Sequence, residues 1–76
     1  MALEIKIEYC GIWNYYPRAA GLAEKIKNTM NVEAELIESG GGAFEVYAGK
    51  EKIYSRLSTG MFPVDENIIE LLKNKK

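Results

Sequence analysis

The sequence predicts an α/β fold of the α+β, two-layer kind. Its elements run β-α-β-β-β-α, with a four-stranded mixed sheet and both helices on one face. Three observations carry this reading. Several short segments place apolar residues at every second position, as strands do. Two longer segments repeat them at helical spacing. And each alternating segment keeps one polar face, so helices can cover the sheet only on the other side.

The first strand runs from Ala2 to Tyr9, with Leu3, Ile5, Ile7 and Tyr9 opposite Glu4, Lys6 and Glu8. Pro17 then suits the first turn of a helix, where its missing N–H is not needed. A helix over Tyr16 to Thr29 follows, with Ala20, Leu22, Ala23, Ile26 and Met30 inward and Glu24, Lys25 and Lys27 outward. "VEAELIE" at 32–38 is a second strand, alternating Val32, Ala34 and Leu36 with Glu33 and Glu35. "SGGG" ends it. "AFEVYA" at 43–48 and "KIYSRLS" at 52–58 are two more strands, joined by the hairpin turn "AGKE". Their polar face holds Glu45 and Tyr47, or Lys52, Tyr54 and Arg56. "RLSTGMFPVDE" contributes a loop with Met61 and Phe62 as core plugs and Asp65 as a helix cap. The last helix, from Val64 onward, puts Val64, Ile68, Leu71 and Leu72 on one stripe. Asp65 and Glu66 lie in its first turn, and the lysines up to Lys76 at its end complement the helix dipole. The compact strand-helix-strand start predicts a parallel pair with a right-handed crossover.

Composition bounds the function. The chain has 76 residues, 47% hydrophobic and 28% charged, the balance of an ordinary soluble globule. It reads as one domain over residues 1–76. A net charge of −1 speaks against a nucleic-acid binder. The charged start "MALEIKIEY" is no signal peptide, and the apolar runs are too short to span a bilayer. These features predict a cytoplasmic protein with no membrane partner. With one cysteine there is no internal disulfide, and without histidine the chain is a poor match to a zinc cluster and lacks the base of a His-assisted hydrolase. No metal and no resident cofactor are expected.

The candidate site is the turn after the first strand, "CGIWNYY". Cys10 continues the strand's alternation onto the polar face and precedes a helix amino end, a place where reactive groups gather in α/β sheets and which favours a thiolate. Tyr9, Trp13, Tyr15 and Tyr16 make its surroundings apolar, and Arg18 is the nearby cation. Gly11 and Ile12 complete the turn as binding candidates with Tyr15 and Tyr16. Trp13 and Tyr16, three apart, share a helical face and form an aromatic patch. The glycine run has no helix after it, so Gly41 and Gly42 read as a tight passage where backbone closely approaches something, not as a phosphate cradle.

"YC-x-x-W-N-Y-x-PRAAGLAEKI", "SGGGAFEVYAGKEKIYSR" and "GMFP" together resemble the selenoprotein W-related, or Rdx, family of small thioredoxin-like proteins, over nearly the whole chain. The fold this resemblance implies agrees with the one read from the residues. The family opens on Cys-x-x-Cys or Cys-x-x-selenocysteine. The resemblance thus implies a thiol redox role with Cys10 at the first motif position and Trp13 at the second. Tryptophan cannot resolve a mixed disulfide, so this chain has no dithiol cycle of its own. The codons of cysteine and selenocysteine each lie one base from that of tryptophan, which leaves an exchange at position 13 open. Two functions follow. Cys10 acts as a monothiol, with glutathione or a redox protein as its partner; or the module binds a partner through Trp13, Tyr15 and Tyr16 without catalysis. An edge strand and a bare sheet face allow a monomer or a weak dimer.

Overall fold

A computed structural model describes residues 4–74. The expectations for Ala2, Leu3, Lys75 and Lys76 lie outside them. The elements are β1 (Ile5–Cys10), α1 (Tyr16–Met30), β2 (Ala34–Ser39), β3 (Phe44–Ala48), β4 (Glu51–Ser55), α2 (Arg56–Thr59) and α3 (Asp65–Lys73). The sheet order is β2-β1-β3-β4. β1 is central, parallel to β2 with Ile7 opposite Leu36, and antiparallel to β3 with Ile7 opposite Val46. β3 and β4 form the hairpin, with an irregularity between Val46 and Tyr47.

Register explains the layers. Cross-strand partners share a face, so Ile5, Ile7, Val46, Ala48 and Phe44 lie on one side of the sheet. Those residues form one core with Ala19, Leu22 and Ile26 of α1 and Ile68, Ile69 and Leu72 of α3. Both long helices therefore cover the same face. The opposite face carries Lys6, Glu8 and Tyr47, where the Tyr47 hydroxyl donates to Glu8 at 3.3 Å.

The predicted stripes shift slightly. In α1, Ala19 and Leu22 are fully buried with Ile26, while Ala20, Ala23 and Met30 are only half-buried. In α3 the buried set is Ile68, Ile69 and Leu72, and Val64 and Leu71 are exposed. A helix entered at Asp65 leaves Val64 outside as the N-cap residue, and the stripe rotates by one position. Asp65 is not the cap: it pairs with Lys25 of α1 at 3.4 Å, joining the two helices. Met61 is exposed rather than a plug, because Tyr54 and Thr59 hold its carbonyl in the loop. Phe62 packs inward as predicted, 5.3 Å from the Phe44 ring.

The largest departure is α2. The predicted strand over 52–58 stops at Ser55 and turns into one helical turn. Ser55 caps it by accepting from the Ser58 N–H at 3.1 Å, and Gly60 closes it in the left-handed conformation.

Candidate functional site

Cys10 is the last residue of β1, and its N–H donates to the Ala43 carbonyl at 2.9 Å. The chain then turns sharply over Gly11–Asn14. The Asn14 N–H donates to the Gly11 carbonyl at 3.1 Å, and the Tyr15 N–H donates to the Cys10 carbonyl at 3.0 Å. Asn14 takes φ +60, a left-handed value that asparagine tolerates. This turn brings the Trp13 N–H to 3.4 Å from the Cys10 Sγ. Alternation assigns Cys10 to the open face, and that expectation is corrected: the side chain is 0% exposed. Period-two reasoning describes only the strand, whereas the cover comes from the turn that folds back over the sulfur.

Trp13 is half-exposed, and its ring rests on Gly42. Gly42 has φ +78, and a Cβ there would stand 2.7 Å from the indole Cζ3. The close approach expected of the glycine run thus has a defined object, the tryptophan ring. Gly41 is also left-handed, at φ +67, but points into open space. On the other side of the turn a Cβ on Gly11 would overlap the Glu38 carboxylate, so that position is confined as well.

The aromatic residues divide into two groups. Trp13 stacks edge-on to Tyr15 at 5.9 Å, Tyr15 to Phe62 at 4.6 Å, and Phe62 to Phe44. Tyr16 turns away and packs on Tyr9 at 5.5 Å. The shared helical face expected for Trp13 and Tyr16 is therefore absent, because α1 begins only at Tyr16 and Trp13 belongs to the turn. Ile12 is 87% exposed at the tip. The structure gathers Cys10, Trp13, Tyr15 and Gly42; it leaves Ile12, Tyr16 and Gly41 at the rim.

Two further residues belong to the site. Arg56, the first residue of α2, lies over the rings of Phe62 (5.2 Å), Tyr15 (5.3 Å) and Trp13 (6.0 Å), and donates to the Gly42 carbonyl at 3.2 Å. Glu45 anchors that arginine's backbone. Its carboxylate is only 2% exposed and accepts from the Ser55 hydroxyl at 2.6 Å, the Arg56 N–H at 3.0 Å and the Leu57 N–H at 3.4 Å, with the Lys52 ammonium at 3.3 Å. Burial pushes the Glu45 pKa up. The Ser55 hydroxyl, the Leu57 N–H and the Lys52 ammonium outweigh it and hold the carboxyl below its ordinary value. The sequence did hold a signal for this element: Ser55, four residues and Gly60 form a capped helical turn.

Among the described residues no cluster of three or more metal-ligating side chains occurs, and no helix is long and apolar enough to cross a membrane.

Comparison with known proteins agrees with this fold. Migration and invasion enhancer 1 of Bos taurus is 29% identical over 72 residues, covering 93% of this chain and 63% of that protein. Its Mus musculus counterpart is 28% identical with the same coverage. The chain thus spans under two thirds of the length of these curated relatives. The crystal structure of a selenoprotein W-related protein from Vibrio cholerae superposes with a TM-score of 0.89 at 26% identity, covering 97% of this chain and 96% of that one. A structure from Bordetella parapertussis gives 0.92 over the whole of both chains at 22% identity, which speaks to the fold alone. The model of the Rdx family matches residues 4–74, and so the chain belongs to the Rdx family.

Proposed function

We propose that this chain is a monothiol redox protein of the Rdx type, in which Cys10 exchanges disulfides with glutathione. The observation that carries the reading is the position of the sulfur. It sits at the carboxyl end of β1, ahead of α1, with the Trp13 N–H directed at it from 3.4 Å. A thiolate accepts such a bond more strongly than a thiol does.

The chemistry needs one sulfur at a time. The Cys10 thiolate attacks the glutathionyl sulfur of a mixed disulfide. That S–S bond breaks, a Cys10–glutathione disulfide forms, and the partner's thiolate leaves. A second glutathione thiolate then attacks the same glutathionyl sulfur, restoring the Cys10 thiolate and releasing glutathione disulfide. Because Cys10 is fully covered, each exchange begins with opening of the Gly11–Asn14 turn. The turn carries Ile12 and Trp13 largely in water, so its opening uncovers little of the main core. A reducing compartment such as the cytoplasm suits a lone thiol with this role. Incubation with glutathione disulfide should give one glutathionyl adduct, located on Cys10 by fragmentation. If Cys10 gains no glutathionyl adduct, the reading fails.

A second reading is favoured by the exposure of Ile12 at 87%, Trp13 at 56% and Tyr16 at 50%, three large apolar residues around one turn. A non-catalytic interaction module would use them to hold a protein partner. Trp13→Ser should then weaken retention of that partner while Cys10→Ser leaves it unchanged; the reverse pattern removes this reading.

A further inference from the structure

We propose that Arg18 and Arg56 form a carboxylate-binding site against the Phe62 ring, at the rim of the Cys10 turn, and that it takes the free carboxylates of glutathione. Two guanidinium groups converge on one ring: Arg18 lies 4.2 Å from the Phe62 centroid and Arg56 lies 5.2 Å from it. Lys25, Lys27 and Lys52 each pair with a carboxylate. Arg18 and Arg56 pair with none among the described residues. Arg56 gives one bond to the Gly42 carbonyl, and its Nε is buried without a hydrogen-bond partner. Each of these unpaired guanidinium groups can take a carboxylate, and such groups are shaped to grip one with two parallel bonds.

Position selects the ligand. Arg56 lies over the Trp13 ring, and the N–H of that same residue meets the Cys10 Sγ. An anion held here is one side chain away from the thiol. Glutathione carries a carboxylate at each end and its sulfur between them, so two separate cations beside a thiol match its charge pattern. Glu45 contributes by fixing the Arg56 and Leu57 N–H groups, which sets where the Arg56 side chain begins. The choice of glutathione rests on the monothiol reading above; the cationic pair itself does not.

The test uses S-methylglutathione, which cannot exchange disulfides, and the full chain carrying Cys10→Ser, which cannot either. Trp13 is the only tryptophan, so its fluorescence reports binding directly at this site. S-methylglutathione should change that fluorescence saturably and bind more weakly as salt is added. Its diester should fail to bind. Arg18→Gln, a substitution at an exposed position, should weaken binding about tenfold. Arg56→Gln should do the same, and where that variant does not fold, the ester comparison still decides. Equal binding of acid and diester, or undiminished binding by Arg18→Gln, overturns the proposal. Tighter binding of an amidated acidic peptide than of S-methylglutathione overturns the assignment to glutathione. The two proposals fail separately: binding without Cys10 adducts in the wild-type chain removes only the monothiol reading, and adducts with ester-insensitive binding remove only this site.

Discussion

Gly41 and Gly42 offer a matched pair of substitutions that isolates what keeps Cys10 covered. Both have left-handed backbones, at φ +67 and +78. Alanine at either position therefore costs about 1–2 kcal/mol of backbone strain. Only at Gly42 does the added methyl meet anything: the indole Cζ3 at 2.7 Å and two further ring atoms at 3.2 Å. For ordinary contact at about 3.5–4 Å the ring must retreat by roughly 1 Å. That motion disturbs its edge-on contact with Tyr15 and its place beneath Arg56, at a cost of about 1 kcal/mol. A loss of this size raises the population of the open turn about fivefold. The assay is alkylation of Cys10 under native conditions, with urea unfolding of each variant alongside. Both alanine variants should unfold at lower urea, and Gly42→Ala should label about fivefold faster than Gly41→Ala after correction for global unfolding. Equal labelling of the two would show that the tryptophan ring does not hold the turn closed.

Glu45→Gln should lower stability by about 2 kcal/mol, since it weakens several charge-assisted bonds to a buried carboxylate. The folded-state pKa of Glu45 lies below its ordinary 4.5, so the unfolded chain binds more protons; its stabilisation is present above that value and is lost as pH falls through the lower, folded one. Urea midpoints between about pH 3 and pH 6 should therefore rise with pH, and less steeply in Glu45→Gln. Trp13→Cys places a second thiol three residues from Cys10, and oxidised glutathione should then close a disulfide that shields both thiols from alkylation; persistence of two free thiols would show that this turn does not support dithiol chemistry. Ile68→Ala, at a fully buried position in α3, should cost about 3 kcal/mol, read as a lower urea midpoint at an unchanged slope.

What the sequence made legible follows from which forces leave a periodic trace. Ile5, Ile7, Val46 and Ala48 face a core, so alternation marked them, and Leu22 and Ile26 were marked by helical spacing. Burial by a turn leaves no such trace. Parity along β1 places Cys10 on the open face, yet the residue is buried, with the Trp13 N–H of the following turn against its sulfur and the Trp13 ring seated on Gly42. Arg56 was hidden for the opposite reason: Lys52, Tyr54 and Arg56 alternate like a strand, and only the Ser55 and Gly60 caps mark the break. Glu45 looked like a solvated residue of the polar face. Its burial depends on α2, and one hidden element therefore concealed both the arginine of the site and the carboxylate that sets it.

The pairing of Cys10 with Ala43 also has a consequence in time. Both parts of the shelter, the Ala43 carbonyl and the Gly42 seat for the indole, lie far downstream of the thiol in the chain. At ordinary synthesis rates of about 5–20 residues per second, the sulfur leaves the ribosome roughly seconds before its cover exists. During that interval it is an open thiol on a growing chain. An oxidant or a glutathionyl group captured then must be removed before β1 can take its central place with the turn closed, which ties the yield of correctly closed protein to the redox state of the compartment where it is made.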